Sequence, residues 1–270
     1  MKANSNAETL QRIEAAIEAA SVIFDRFTPG AIAAEYKAGH DPVTEADRAV
    51  DAALRKELLR DGEGWLSEET VDDLSRLNKT RVWIVDPLDG TREFVTGIPE
   101  FCVSIAMVED GMPVAGGICN PATKETFIGA LGTGVQYNGE KVFTSQRAKL
   151  EDALVLASRS EVKRGEWETF KSAPFQIKPV GSVAYKLALV SAGLADATFT
   201  LTPKSEWDVA AGAALVLSAG GSVQTLENVP LRCNKRNPLL SGLIASGLNL
   251  QKPLNSLLKD YLHPSVQVQA

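Results

Sequence analysis

The run Trp83-Ile84-Val85-Asp86-Pro87-Leu88-Asp89-Gly90-Thr91-Arg92-Glu93-Phe94 carries the densest chemistry in the chain. Its apolar start predicts a strand that ends at Asp86, displaying that carboxylate at a sheet edge. Pro87 fixes φ and turns the backbone, which brings Asp89 back toward Asp86. Gly90 permits an unusual backbone angle or a close approach. Thr91 can then start a short helix whose free N–H groups form an anion cradle. A phosphate could rest on Gly90 and Thr91 while the two aspartates hold a metal beside it. A lone Asp-Pro-x-Asp turn would need no such account, because its carboxylates can cap backbone N–H groups. Three other acidic segments weigh against that plain reading. Asp41-Pro42-Val43-Thr44-Glu45-Ala46-Asp47, with Lys37 upstream, brackets a helix start. Gly64-Trp65-Leu66-Ser67-Glu68-Glu69 ends an apolar stretch in paired glutamates. Glu206-Trp207-Asp208-Val209-Ala210-Ala211-Gly212 puts an acid in the first turn of a small-residue helix. Taken singly, each reads as helix capping, a dipole-matched acid or a solvated strand end.

These segments need elements to position them. Helical spacing predicts a helix over 7–27, stopped by Phe27-Thr28-Pro29-Gly30. A second helix is expected from the N-cap Thr44 to about Arg60, with Asp47 three residues inside. From about 80 to 145 the pattern is antiparallel strand and turn: Val82–Val85, Val103–Val108 and Val114–Ile118, with turns at Glu109-Asp110-Gly111 and Tyr137-Asn138-Gly139. Beyond 146 strands and helices alternate. Strands are expected at 154–157, 177–180, 197–201 and 243–245. Helices are expected at 162–172, 183–192, 207–218 and 248–261, and Gly220-Gly221 closes the third. The organisation is two αβ halves, 1–145 with most of the acidic motifs and 146–270 with the Trp-Asp motif.

The composition narrows the field. The chain has 270 residues, 44% hydrophobic and 23% charged, enough for one large core or two sharing an interface. A net charge of −6 disfavours direct binding to nucleic acid or to a membrane surface. Cys102, Cys119 and Cys233 form no CxxC pair, and His40 and His263 are the only histidines. A Cys/His zinc site and a Ser-His-Asp triad are therefore not expected. Reduced, buried thiols suit a cytoplasmic location. The segment MKANSNAETL lacks the apolar centre of a signal peptide, and no apolar run approaches the ~20 residues of a membrane span.

Together, in this order and over nearly the whole chain, the four motifs resemble those of the inositol monophosphatase superfamily. Asp86 to Phe94, followed by Pro99 and Val103-Ser104-Ile105, is the most specific piece, with Trp207-Asp208-x-Ala-Ala-Gly next. The resemblance implies an α+β fold, a layered αβαβα sandwich of the inositol monophosphatase and fructose-1,6-bisphosphatase type. It also implies a Mg²⁺-dependent phosphomonoesterase acting on a small phosphorylated metabolite with two or three ions. By similarity, Glu68, Asp86, the carbonyl of Leu88, Asp89 and Asp208 bind metal. One ion is shared by Glu68, Asp86 and Leu88, a second by Asp86, Asp89 and Asp208, and a third, weaker one lies near Glu68. Glu68, Thr91 and Asp47 take part in activating water, and Gly90 and Thr91 hold phosphate. Without cations such a cluster is expected to be poorly ordered or partly protonated, since like charges resist joint ionisation.

On the substrate side, Gly181 and Ser182 match the segment that lines the alcohol pocket, and Ser182 can equally cap a helix. Inositol monophosphatases place a glutamate after the Ala-Asp-Ala strand. Here Ala195-Asp196-Ala197 leads into Thr198-Phe199-Thr200, and Glu206 is the candidate substitute. Gly-Thr-Arg-Glu-Phe and Glu-Trp-Asp resemble 3′(2′),5′-bisphosphate nucleotidases, while Thr96-Gly97-Ile98-Pro99 resembles histidinol-phosphate phosphatases. The expected substrate is 3′-phosphoadenosine 5′-phosphate or inositol monophosphate, with histidinol phosphate as the alternative. Some bacterial relatives instead act as regulatory factors with protein partners, and homodimers are common in the family.

Overall fold

The computed structural model describes residues 2–36 and 42–262, so Lys37, His40 and Asp41 lie outside the described residues. Its helices are α1 (Lys2–Phe24), α2 (Glu45–Leu58), α3 (Thr91–Thr96), α4 (Arg159–Lys163), α5 (Val183–Ser191), α6 (Glu206–Ser218) and α7 (Gln251–Leu262).

The outermost layer is α1 against α2. Ile13, Ala16, Ile17, Ala20 and Phe24 recur every three or four residues and bury against Ala46, Val50, Leu54 and Leu58. Thr44 caps α2. Its hydroxyl accepts from the Ala46 N–H at 3.2 Å, and the Asp47 carboxylate accepts from the Thr44 N–H at 2.7 Å.

Beneath this pair lies a seven-stranded sheet in chain order: Gly64–Ser67, Arg81–Asp89, Cys102–Glu109, Met112–Asn120, Glu125–Ala130, Gly134–Tyr137 and Glu140–Val142. The first pair is parallel and the remainder antiparallel. Both expected hairpin turns form, with φ of 48° and 77° at Asp110 and Gly111 and 48° and 86° at Asn138 and Gly139. Side chains alternate across the sheet. Trp83 and Val85 face the α1–α2 core, while Val82 and Ile84 face the opposite core.

That second core is filled by α5 and α6, which also cover a five-stranded sheet. The order of the latter is Gln176–Val180, Leu154–Ser158, Ala197–Thr200, Leu243–Gly247 and Gly221–Gln224. A Cβ at Gly212 would lie 2.2 Å from Leu187 Cβ, so the Ala-Ala-Gly step lets α6 press onto α5. A third core, of Trp167, Phe170, Phe175, Phe199, Leu254 and Leu258, packs α7 onto the outer face of the smaller sheet. The result is the expected αβαβα succession.

Some expectations shift. The strand expected to stop at Asp86 continues through a bulge to Asp89, with the register changing between those two residues. The helix expected over 162–172 is only α4, followed by a 3₁₀ turn at Glu168–Phe170. Gly165, at φ 81°, ends it, and Trp167 and Phe170 turn inward onto Phe199 at 4.5 and 5.1 Å. Core packing overrides helical periodicity there. The C-terminal helix begins later than expected, after a 3₁₀ turn at Leu248–Leu250.

Candidate active site

A cavity of about 390 Å³ opens where the two sheets' helices and strand ends meet. The seven-stranded sheet contributes Glu68, just past strand Gly64–Ser67, and Asp86 and Asp89 from the bulged strand. Asp208 comes from the first turn of α6, where its Oδ2 accepts from the Ser205 N–H at 3.2 Å. Carboxylate oxygens of Glu68, Asp86 and Asp208 lie within 4.8 Å of one another. Acids separated by well over a hundred residues thus converge on one wall, together with Asp89.

The bulge explains the local geometry. The Leu88 N–H donates to Asp86 Oδ1 at 2.9 Å, closing a tight turn around Pro87. Gly90 takes φ 96°, and a Cβ there would meet Glu100 O at 2.9 Å, so both its angle and its close approach require glycine. α3 then starts at Thr91 with its N-terminus beside the cavity. The Thr91 hydroxyl lies 3.0 Å from Leu88 O and 3.2 Å from Asp47 Oδ1, as donor to one or the other. Asp47 does not line the cavity. It stands behind Thr91, its Oδ2 held by the Thr44 N–H and hydroxyl at 2.7 and 2.6 Å.

The electrostatics of the wall follow from the crowding of buried acids. Asp86 is 2% exposed, and burial pushes its carboxyl well above the usual range, aided by Glu68, Asp89 and Asp208. Asp208 is raised by the same causes, burial first, then Asp89 and Glu68. Carboxylates so gathered fit a hard divalent cation, which prefers oxygen donors. Asp89 contributes differently. Its Oδ2 accepts from the Ser182 hydroxyl at 2.7 Å and the Ala184 N–H at 2.6 Å. Ser182 also caps α5, accepting from the Tyr185 N–H at 2.9 Å, at φ 55°. It therefore lines the cavity and anchors Asp89 at once. The Gly181 N–H is engaged by Glu100 Oε2 at 2.7 Å.

Glu206 is a correction. It is 0% exposed, and its oxygens accept from the backbone N–H groups of Asn234 and Lys235 at 2.6 and 3.0 Å. It faces away from the cavity as a loop anchor, because the helical turn that presents Asp208 points Glu206 in another direction. The motif reading also missed a set of cations on the cavity wall, Arg159, Lys186 and Lys204. For Lys186 a signal existed: one lysine inside the otherwise apolar stretch Val183-Ala184-Tyr185-Lys186-Leu187-Ala188.

The family model described as the inositol monophosphatase family matches residues 5–263. The chain belongs to the inositol monophosphatase family. It is 37% identical to the inositol-1-monophosphatase of Mesorhizobium japonicum, over 69% of this chain and 73% of that protein. It is 32% identical to Nus factor SuhB of Pseudomonas aeruginosa, over 87% of this chain and 89% of that protein. The solved inositol monophosphatase from Anabaena superposes with a TM-score of 0.77 at 26% identity, covering 95% of this chain and 97% of that one. The family is one of phosphatases, and magnesium dependence is general within it. Among the described residues no helix is long and apolar enough to cross a membrane.

Proposed function

We propose that the chain is a Mg²⁺-dependent phosphomonoesterase that hydrolyses a small-molecule phosphate ester. The observation that carries this reading is the meeting of three carboxylates within 4.8 Å beside the N-terminus of α3. Glu68, Asp86, Asp89 and Asp208, with the Leu88 carbonyl, would hold two or three ions. Bound Mg²⁺ supplies an acidified water and charge stabilisation at the leaving oxygen. The remaining work belongs to the chain. The N–H groups of Gly90 and Thr91 hold phosphate oxygens as charge builds on them. The Thr91 hydroxyl, backed by Asp47 Oδ1, orients the attacking water and takes part in moving its proton toward Asp47. Burial raises the Asp47 carboxyl above the usual range, which brings its basicity closer to the working pH. Glu68, grouped with Asp86 and Asp208, would help to orient the same water. Gly181 and Ser182 border the leaving-group side of the cavity.

The substrates favoured by the motifs are 3′-phosphoadenosine 5′-phosphate and inositol monophosphate, with histidinol phosphate as the alternative. Phosphate release should be followed across these three and fructose 1,6-bisphosphate, with and without Mg²⁺. Turnover that needs the cation supports the reading, and equal turnover in its absence sinks it. A second reading rests on the likeness to Nus factor SuhB over most of the chain. In it the fold serves a protein partner, and a phenotype that survives Asp86→Asn in cells would favour that role.

A further inference from the structure

The cavity wall beside Asp89 holds a lysine with no salt-bridge partner among the described residues. Lys186 is 4% exposed, within the otherwise apolar helix α5, yet it borders the cavity. Its ammonium donates to Ser182 O at 2.5 Å and to Val180 O at 3.4 Å. No carboxylate among the described residues forms an ion pair with it. Of the nearby acids, Glu93 also lines the cavity, its carboxyl pushed above the usual range by burial, and the other three are committed. Asp89 Oδ2 is taken by Ser182 and the Ala184 N–H, Glu161 pairs with Lys204 at 2.9 Å, and Glu100 pairs with Arg159 at 2.5 Å. A buried ammonium satisfied only by carbonyls carries a large desolvation cost, and an arriving anion would offset it. Burial lowers this ammonium to about 8, with Asp89, Glu161 and Glu93 pulling it back up, so it stays mostly charged near pH 7.

We propose that Lys186, flanked by Lys204 and Arg159, receives a second anionic group carried by the alcohol part of the substrate. The chain then prefers phosphomonoesters that bear another phosphate. The placement agrees with this division of labour. The scissile phosphate belongs to the N-terminus of α3 and the carboxylates, both mainly from the seven-stranded half. Lys186, Lys204 and Arg159 come from elements of the other half, around the same cavity. A Cβ at Gly181 would sit 2.5 Å from Glu93 Cγ, so glycine there brings the start of α5 close to α3. This proposal rests on the phosphatase reading above and narrows it from small phosphate esters to doubly anionic ones.

The test compares esters that differ only in the second phosphate, on Mg²⁺-loaded enzyme. Adenosine 3′-phosphate is set against 3′-phosphoadenosine 5′-phosphate, and inositol 1-phosphate against inositol 1,4-bisphosphate. In at least one pair the doubly phosphorylated ester should have the higher kcat/KM by about tenfold or more, carried mainly by KM. Lys186→Met should bring that ratio down toward one, and Lys204→Gln should lower it part of the way. If Lys186→Met does not fold, the wild-type ratio and Lys204→Gln decide. Monoesters turned over as efficiently as their bisphosphate partners would overturn the subsite and leave the phosphatase reading intact. A Lys186→Met enzyme with both esters equally slowed and the ratio retained would also overturn it, making Lys186 a positioning residue for Asp89. Release of phosphate from none of these esters, nor from histidinol phosphate or fructose 1,6-bisphosphate, would remove both readings together.

Discussion

Asp86→Asn should abolish hydrolysis and at the same time stabilise the metal-free protein. The buried Asp86 lies within 4.8 Å of oxygens of both Glu68 and Asp208. Two unit charges that far apart repel by about 3.5 kcal/mol at an effective dielectric of about 20. The protein limits this cost by taking up a proton, which costs an ordinary aspartate about 4 kcal/mol near pH 7. Relief from removing the charge is therefore about 2–4 kcal/mol, or roughly 4–16 °C in Tm for a chain of this size. The asparagine oxygen keeps the Leu88 N–H bond, and its amide can donate to the neighbouring acids. The sign with pH follows from the raised carboxyl. Below about pH 4 the folded and unfolded chains are both protonated, and the variant gains nothing from losing the charge. As pH rises, the unfolded chain releases its proton first, so wild type loses stability that the variant retains. Thermal melts in EDTA from pH 4 to 8 measure the gap, and saturating Mg²⁺ should close it by stabilising wild type alone. A variant that melts at or below wild type in EDTA near pH 7, or a gap as wide at pH 4, would refute the reasoning.

Thr91→Val should lower kcat by about 100-fold with little change in Tm, because it removes the hydroxyl set between Asp47 and Leu88 O; steady-state phosphate release measures it. Glu206→Ala should destabilise by about 2–4 kcal/mol through the orphaned N–H groups of Asn234 and Lys235, with KM unchanged. Denaturant titration alongside kinetics separates the two effects. Gly212→Val should cost about 1–3 kcal/mol or more, since a side chain there collides with Leu187. Its urea midpoint should fall while the residual folded fraction keeps its kcat.

The chemistry-bearing turns were the most legible part of the chain, because their residues leave little conformational choice. The Thr44 cap, the glycine at position 90 and the Asn-Gly and Asp-Gly hairpins all take the geometry their types dictate. The apolar strand around Trp83 also forms where expected, and the layering follows the family resemblance. What was not legible depended on partners distant in sequence. Residues 162–172 carry a helical pattern, yet Trp167 and Phe170 are worth more inside the third core than on a helix face. Glu206 sits one residue from Trp207 and two from Asp208, and spacing alone could not say which way that turn of helix points it. Ser182 read equally as a pocket residue and as a helix cap, and its bond to Asp89 becomes visible only when the two halves are brought together.

That bond bears on why the site sits between the seven-stranded sheet and the helix layer packed on it. Glu68, Asp86 and Asp89 come from the seven-stranded sheet, Asp208 and the two groups holding Asp89 from α5 and α6, the helix layer between the two sheets. Neither the sheet nor the helix layer carries the whole acidic cluster, so the repulsion within it falls between them. The apolar contact of α5 and α6 with both sheets offsets that repulsion when no cation is present. A divalent ion turns the same cluster from a wedge into a tie. Binding of cation and tightening of the interface are then one event. Amide exchange at the N-termini of α5 and α6 should slow on Mg²⁺ addition in wild type and far less in Asp86→Asn. Equal slowing in both proteins would separate the interface from the carboxylates and defeat the argument.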